Sequence, residues 1–236
     1  MQRILPVFAL FVFLLLIPAT AAPEKNLPRV LYLGDAVHQQ IVQEAAGELR
    51  GKVEFVFPRI LAENTHSALE KLDEILGDEK WDLIYFNYGL GDLIYKDPST
   101  REIRAMSKFA GGIRVSKPAK YQENLEAIVK RLKKTEAKLM WGTTTPMIKV
   151  NAFPGYRGNL FDANSEQEYN AIAARIMEQH RIPVCDVHSY ILSKFGPDDS
   201  HPEHSAYQNH FSRKLKIPIA TPVIDGISHA LDGGAR

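Results

Sequence analysis

The 236-residue chain has a single cysteine, and its charges nearly cancel. One cysteine excludes a disulfide within the chain, so Cys185, in the apolar run 182–187, is expected to be a buried, inert thiol. The 29 basic and 28 acidic side chains are interspersed and leave a formal net charge of +1. This balance argues against a nucleic-acid partner and favours a small neutral ligand. The sequence also contains no internal repeat and no low-complexity segment.

Only the amino terminus carries a long apolar run. Met1-Gln2-Arg3 is a short positive head, Ile4 to Ile17 is almost entirely apolar, and Ala19-Thr20-Ala21 has the small-x-small form of a signal-peptidase site. The run is shorter than the roughly 20 residues that span a bilayer, which disfavours the alternative of a membrane anchor. We predict a signal peptide over residues 1–22, a secreted or periplasmic location and no membrane span after cleavage. Residues 23–236 are then expected to form one domain.

Five apolar segments of strand length follow, at 30–33, 53–57, 83–87, 138–142 and 183–187. Segments of helical periodicity precede all but the first. Because these strands are continuously apolar, both faces of their sheet must be covered. The pattern predicts an α/β fold: a three-layer α/β/α sandwich around a parallel sheet of about five strands. Two irregular tracts, 94–118 and 147–164, are candidate loops over the site, and Tyr156 and Arg157 in the second are candidate contacts for a sugar.

Ligands of such sheets bind beyond the carboxyl ends of the strands. Asp35 and Ala36 follow the first strand, Gly89 to Asp92 the third, and Thr143 to Pro146 the fourth. Asn87 and Asp92 are expected to organise these loops through hydrogen bonds, and the threonines to satisfy loop backbone groups. These segments define the predicted site.

Near the carboxyl terminus, Asp198 precedes His201 by three residues. On a turn, this spacing lets the carboxylate hold the imidazole in the tautomer that accepts a proton from a nucleophile. His204 and His210 lie nearby, but their spacing matches no metal-ligand signature, so no metal is predicted and both are expected at the surface or at helix ends.

Three motifs in this order, Gly34-Asp35-Ala36, Asn87-x-Gly89-x-x-Asp92 and Asp198-x-x-His201, resemble those of the SGNH (GDSL) hydrolase family. The stretches WDLIYFNYGLGDL, YQENLEAIVKRLKKTEAKLMWGTTTP and EYNAIAARIME look like its bacterial, secreted esterase-type branch. The resemblance implies a flavodoxin-like sandwich, in agreement with the periodicity. It also implies hydrolysis of carboxylic esters without a cofactor, O-acetyl groups on carbohydrates among them.

The resemblance implies that position 36 should be the serine nucleophile, activated by His201 with Asp198 behind it. Ala36 carries no oxygen there, and Asp35 is a structural carboxylate of the motif. The family's oxyanion hole uses the N–H of the serine, the N–H of a glycine and the amide of an asparagine. Gly91 stands where that asparagine is expected.

Position 65 matches the family's oxyanion glycine, but here it is Thr65, whose N–H could still point inward. Three interpretations remain open. The first is a non-catalytic protein that binds a small-molecule or carbohydrate ester. The second is a hydrolase using His201-activated water or an unrecognised nucleophile. The third is a family esterase whose serine is replaced by alanine in this version of the chain. We expect Ala36→Ser to restore weak hydrolysis and an added Gly91→Asn to restore more. The sequence does not indicate an oligomeric state.

Overall fold

The computed structural model describes residues 26–60, 62–100, 104–146, 160–162, 164–195 and 219–233. Its central sheet is parallel and has five strands, each within or one residue beyond a predicted segment. They are β1 (Arg29–Leu33), β2 (Glu54–Val56), β3 (Leu83–Phe86), β6 (Lys138–Gly142) and β7 (Val184–Cys185). Their order across the sheet is β2-β1-β3-β6-β7. The predicted sheet is therefore confirmed, and all five carboxyl ends lie at one edge.

Helices cover both faces of this sheet. Two begin with side-chain caps: the Asp35 carboxylate accepts from the first turn of one, and Asn64 and Ser67 form a capping box at the start of the next. The α-helices are α1 (Ala36–Glu48), α2 (Thr65–Leu76), α3 (Leu90–Leu93), α4 (Pro118–Leu132), α5 (Ser165–His180), α6 (Val187–Phe195) and α7 (Thr221–Asp232).

Strand side chains alternate between two separate hydrophobic clusters, as the two faces of a sheet require. Leu31, Phe86 and Trp141 pack with side chains of α2, α4 and α5. Tyr32 and Tyr85 point the other way and pack with α1, α6 and α7. The three-layer sandwich is thus confirmed, and Trp141 and Tyr85 belong to its core.

The tract 94–118 is more regular than predicted. It contains a short antiparallel pair, β4 (Tyr95–Lys96) with β5 (Ile113–Arg114), and two turns of 3-10 helix. Asp162 ties this tract to the start of α5, since its carboxylate accepts from Tyr95 and Arg114 and from Lys108 at 2.5 Å. The expectation of an irregular loop is therefore wrong for these residues, because two short strands cannot show a periodicity in the sequence.

The signal-peptide prediction, most of the tract 147–164 and the motif around residues 198–201 lie outside the described residues. Within the described ranges, no helix combines the length and the apolar character that crossing a bilayer requires.

Candidate functional site

The turn between β1 and α1 is built around Asp35. Its Oδ1 accepts the N–H groups of Val37 at 3.0 Å and His38 at 2.9 Å, which caps the helix. Gly34 is required just before it, because a Cβ there would lie 2.5 Å from both the Asn87 carbonyl oxygen and the Tyr32 hydroxyl. Asp35 therefore acts as the structural carboxylate of this turn.

Ala36 is the first residue of α1, and its side chain is exposed at the edge of the sheet where ligands are expected. The Asp35 carboxylate accepts the N–H groups of Val37 and His38 but not that of Ala36. The position therefore offers a helix N-terminal N–H and a methyl group, but no side-chain nucleophile.

Asp35 is buried, which changes its acidity. Desolvation raises the pKa of its carboxyl to about 7; the hydrogen bonds from His38 and Val37 oppose that rise, and the nearby carboxylates of Glu63 and Asp92 add to it. We therefore expect the Asp35 carboxyl, which directly precedes Ala36 in the chain, to ionise near neutral pH.

The loops after β3 and before α2 are joined by Asp92. Its buried carboxylate accepts the Thr65 hydroxyl at 2.6 Å and the Thr65 N–H at 3.0 and 3.2 Å. The same hydroxyl accepts from the Asn124 amide of α4 at 3.1 Å. The N–H that the sequence left as a candidate oxyanion donor is therefore already engaged by a carboxylate. Asp92 organises these loops, as predicted.

Gly91 packs against the backbone of Glu63, in the segment that leads into α2. A Cβ at this glycine would be 2.0 Å from the Glu63 carbonyl oxygen and 2.7 Å from its carbon. Such contacts are with backbone, so no side-chain rotation relieves them. An asparagine therefore has no room at position 91, and the expectation that Gly91→Asn adds activity to Ala36→Ser does not hold for this backbone.

Gly89 packs against the loop after β6, since a Cβ on Gly89 would lie 2.0 Å from the Thr144 hydroxyl oxygen. The backbone of Thr144 exchanges two hydrogen bonds with the Asn170 amide of α5, at 2.8 and 2.7 Å. Thr143 accepts the His188 N–H at 2.9 Å. The Thr143 hydroxyl has the structural role that the sequence predicted, whereas the Thr144 hydroxyl has no hydrogen-bond partner among the described residues. Asn87 is structural too, since its amide donates to the Gly142 carbonyl at 2.8 Å.

Cys185 ends β7 on the face that Tyr85 shares. Burial raises the pKa of its thiol to about 12, with a hydrogen bond from Tyr85 opposing the rise. A thiol that holds its proton so tightly is a poor nucleophile at neutral pH. The prediction of a buried thiol is confirmed, and Cys185 does not replace the absent serine.

Asp198 and His201 lie outside the described residues, so their predicted approach to Ala36 stays a prediction. Tyr156, Arg157, His204 and His210 lie outside them as well. Sequence reasoning missed Asn124, which extends the Asp92 network, and Glu166 and His188 at the β6–β7 side of the edge. His188 follows a predicted strand closely, a signal available in the sequence, whereas Glu166 looks like an ordinary acidic residue in a first helical turn.

The sheet order and the motifs at its carboxyl edge define a class: the chain has the fold of the GDSL-type (SGNH) hydrolases. It is similar to a lipase/acylhydrolase from Enterococcus faecalis (TM-score 0.57, 15% identity, covering 85% of this chain and 95% of that one). It is also similar to a GDSL-like lipase from Bacteroides thetaiotaomicron (0.55, 16%, 90% and 93%). The acetyl xylan esterase AlAXEase is a third (0.51, 13%, 79% and 100%).

No protein-family model matches the sequence, and no curated protein matches it. At such low identities, the structural likeness establishes the fold and leaves the activity to be argued from the site.

Proposed function

We propose that the protein is an exported binding protein for an ester-bearing small molecule or carbohydrate, and that it does not hydrolyse its ligand through a serine. The observation that carries the proposal is Ala36. It follows the capping Asp35 at the start of α1, where the fold's hydrolases place a nucleophile, and a methyl group cannot attack a carbonyl.

The expected loss is large. In a serine hydrolase, removal of the nucleophile lowers turnover by roughly 10⁶. Removal of one oxyanion donor costs roughly a further 10² to 10³. Here position 91 lacks an amide, and the Thr65 N–H is bonded to Asp92. These departures support a site that has lost its hydrolytic function.

The ligand class is inferred from the fold and from charge. One similar structure is that of an acetyl xylan esterase, whose name gives acetyl xylan as its substrate. The near-neutral chain has no large excess of charge to attract a polyanion. We therefore propose an O-acetylated carbohydrate as the ligand and its acetyl ester as the group that lies nearest to Ala36.

Isothermal titration calorimetry with acetylated and deacetylated xylo-oligosaccharides tests the binding, and acetate release tests the inactivity. The unmodified chain should bind the acetylated oligosaccharide more tightly and release no acetate above the buffer rate. Acetate release that disappears in His201→Ala would support the water route instead and contradict the proposal. Equal affinity for both oligosaccharides would contradict the ester as the recognised group.

Export is the second part of the proposal and is supported by the pattern of residues 1–22. Expression of the full chain in a bacterial host, followed by amino-terminal sequencing of the periplasmic fraction, should give a mature chain that begins at Ala22 or Pro23. Recovery of the uncleaved chain from the cytoplasm would contradict it.

A further inference from the structure

Two side chains near the ends of β6 and β7 have no role in the site described above: Glu166, which is buried, and His188, whose side chain is 14% exposed while its Nε2 atom is buried. Glu166, in the first turn of α5, is 2% exposed, and its Oε2 has no hydrogen-bond partner among the protein's described residues. The Nε2 of His188, in the first turn of α6, also has none there. Glu166 Oε1 and His188 Nε2 face each other at 3.7 Å, which is within the range of an ion pair with a charged imidazole but too long for a hydrogen bond. Since buried polar atoms nearly always have partners, the pair requires an explanation.

The separation is set by the fold. The N–H of His188 donates to the Thr143 hydroxyl at 2.9 Å, which fixes the start of α6 to the loop after β6. Asn170, one helical turn after Glu166, exchanges hydrogen bonds of 2.8 and 2.7 Å with the backbone of Thr144 in the same loop. Both helices are thus anchored to one short segment, and Glu166 and His188 face each other from the first turns of the two helices.

The pair adjoins the candidate site. The Thr144 hydroxyl, which is buried and also unpartnered among the described residues, lies against Gly89 of the β3 loop. Gly89 belongs to the same carboxyl edge of the sheet as Asp35 and Ala36. A ligand of more than one sugar unit that occupies this edge can therefore present a second group to Glu166 and His188.

The donor and acceptor chemistry limits what that group can be. The Glu166 carboxylate only accepts hydrogen bonds when ionised, while His188 Nε2 donates or accepts according to its tautomer. A hydroxyl group both donates and accepts, so it satisfies both atoms in either tautomer. A carboxylate or phosphate would be repelled by Glu166.

We propose that Glu166 and His188 form a subsite that binds a sugar hydroxyl of the ligand, with the O–H donating to Glu166 and the oxygen bonded to His188 Nε2. This inference rests on the proposed function, since it assigns the second contact of the same carbohydrate. It makes these residues determinants of which carbohydrate is bound, and gives them no part in bond cleavage.

The test compares Glu166→Gln and His188→Gln with two matched controls on exposed positions, Glu168→Gln in the same turn of α5 and His229→Gln on α7. Titration with acetylated xylo-oligosaccharide should show affinity reduced by about ten-fold or more for each subsite variant, because a hydrogen bond to a buried charged group is lost. The controls should bind like the unmodified protein. Thermal melts establish that each variant is folded.

A readout without substitution at Glu166 uses the ¹⁵N resonances of His188, assigned by their loss in His188→Gln. Saturation of the unmodified protein with the oligosaccharide should shift the His188 Nε2 resonance and leave that of His229 in place. An unchanged His188 resonance, or subsite variants that lose stability but bind normally, would mean that the pair is structural or holds only water and would overturn the inference. If the unmodified protein binds no oligosaccharide, the proposed function and this inference both fail. Normal binding by the variants overturns the inference alone.

Discussion

At the scale of single residues, the candidate site differs from a serine hydrolase at positions 36 and 91. Ala36 removes the nucleophile, and Gly91 is covered by the Glu63 carbonyl, so that the backbone itself now excludes an asparagine there. The first difference is a matter of one oxygen atom and is readable in the sequence. The second is also readable in the sequence, but the backbone contact that now excludes a side chain at position 91 is visible only in the structure.

Restoring the hydroxyl should therefore restore little. Ala36→Ser should release acetate from acetylated xylo-oligosaccharide faster than the unmodified chain, but at least about 10²-fold more slowly than an acetyl xylan esterase assayed in parallel, because oxyanion donors are still lacking. A turnover number within about ten-fold of the reference enzyme would favour an esterase whose serine is replaced in this version of the chain.

The crowding at Gly91 predicts a stability difference between two glycines in helices. Gly91→Ala should lower the free energy of unfolding by about 1–3 kcal/mol, because its Cβ meets backbone. Gly47→Ala is the matched control, since a Cβ there meets nothing within 4 Å; it should raise stability by about 0.5–1 kcal/mol. Urea denaturation measures both. A neutral Gly91→Ala would show that the loop before α2 yields easily, and would make Gly91→Asn feasible again.

Asp35 should make stability depend on pH. Its pKa is raised in the folded protein, to about 7 from 3.8, so the native state binds the proton more tightly and the stabilisation is lost as pH rises through that range. Asp35→Asn keeps a good helix cap but cannot ionise. Relative to the unmodified protein, the variant should gain about 2–3 kcal/mol between pH 5 and pH 8. A difference in unfolding free energy between Asp35→Asn and the unmodified protein that stays constant with pH would contradict the argument that burial raises the pKa of Asp35.

At the scale of elements, α2, α3 and α4 are connected through one buried carboxylate. Asp92 of α3 bonds Thr65 of α2, and Asn124 of α4 bonds the same threonine. In this network the Thr65 N–H donates to Asp92, whereas the family resemblance implies that the N–H at this position is an oxyanion donor. These hydrogen bonds hold the starts of α2 and α3 together, and none of them requires a catalytic residue.

Thr65→Val should test that connection. It deletes the hydroxyl that Asp92 and Asn124 share, and a buried partner of a charged group should cost about 1–3 kcal/mol of unfolding free energy. Thr135→Val is the control, because its half-buried hydroxyl bonds only neutral backbone groups, donating to the Leu132 carbonyl and accepting the Ala137 N–H; its cost should be below about 1 kcal/mol. Equal costs for the two variants, measured by thermal or urea unfolding, would contradict a structural role of the network.

The strands and helices were predictable where the pattern is strong. β1, β3 and β6 are continuous apolar runs, and the stripe of α4 repeats at helical spacing. β4 and β5 were not, since two residues each carry no period and they pair over a distance of 17 residues or more. The Glu166–His188 approach was also beyond reach, because it depends on how α5 and α6 meet the loop after β6.

At the scale of the whole molecule, the sheet brings the ends of five parallel strands to one edge, and this is what turns scattered motifs into a site. The position of Asp35, Ala36 and Gly89 at that edge followed from the βα alternation alone. The groups that shape this edge do not depend on a nucleophile, because Asp35 caps α1 through the Val37 and His38 N–H groups and Asp92 bonds Thr65 of α2. The same edge can therefore bind a ligand without hydrolysing it.

The account depends most directly on the absence of an activated nucleophile, which a fluorophosphonate probe reports. The unmodified, folded chain should remain unlabelled under conditions in which an acetyl xylan esterase is labelled to completion, since such probes react with activated hydroxyl groups and Ala36 has none. Covalent labelling of the unmodified chain that acetylated xylo-oligosaccharide blocks would reveal another nucleophile in the site and contradict the central claim.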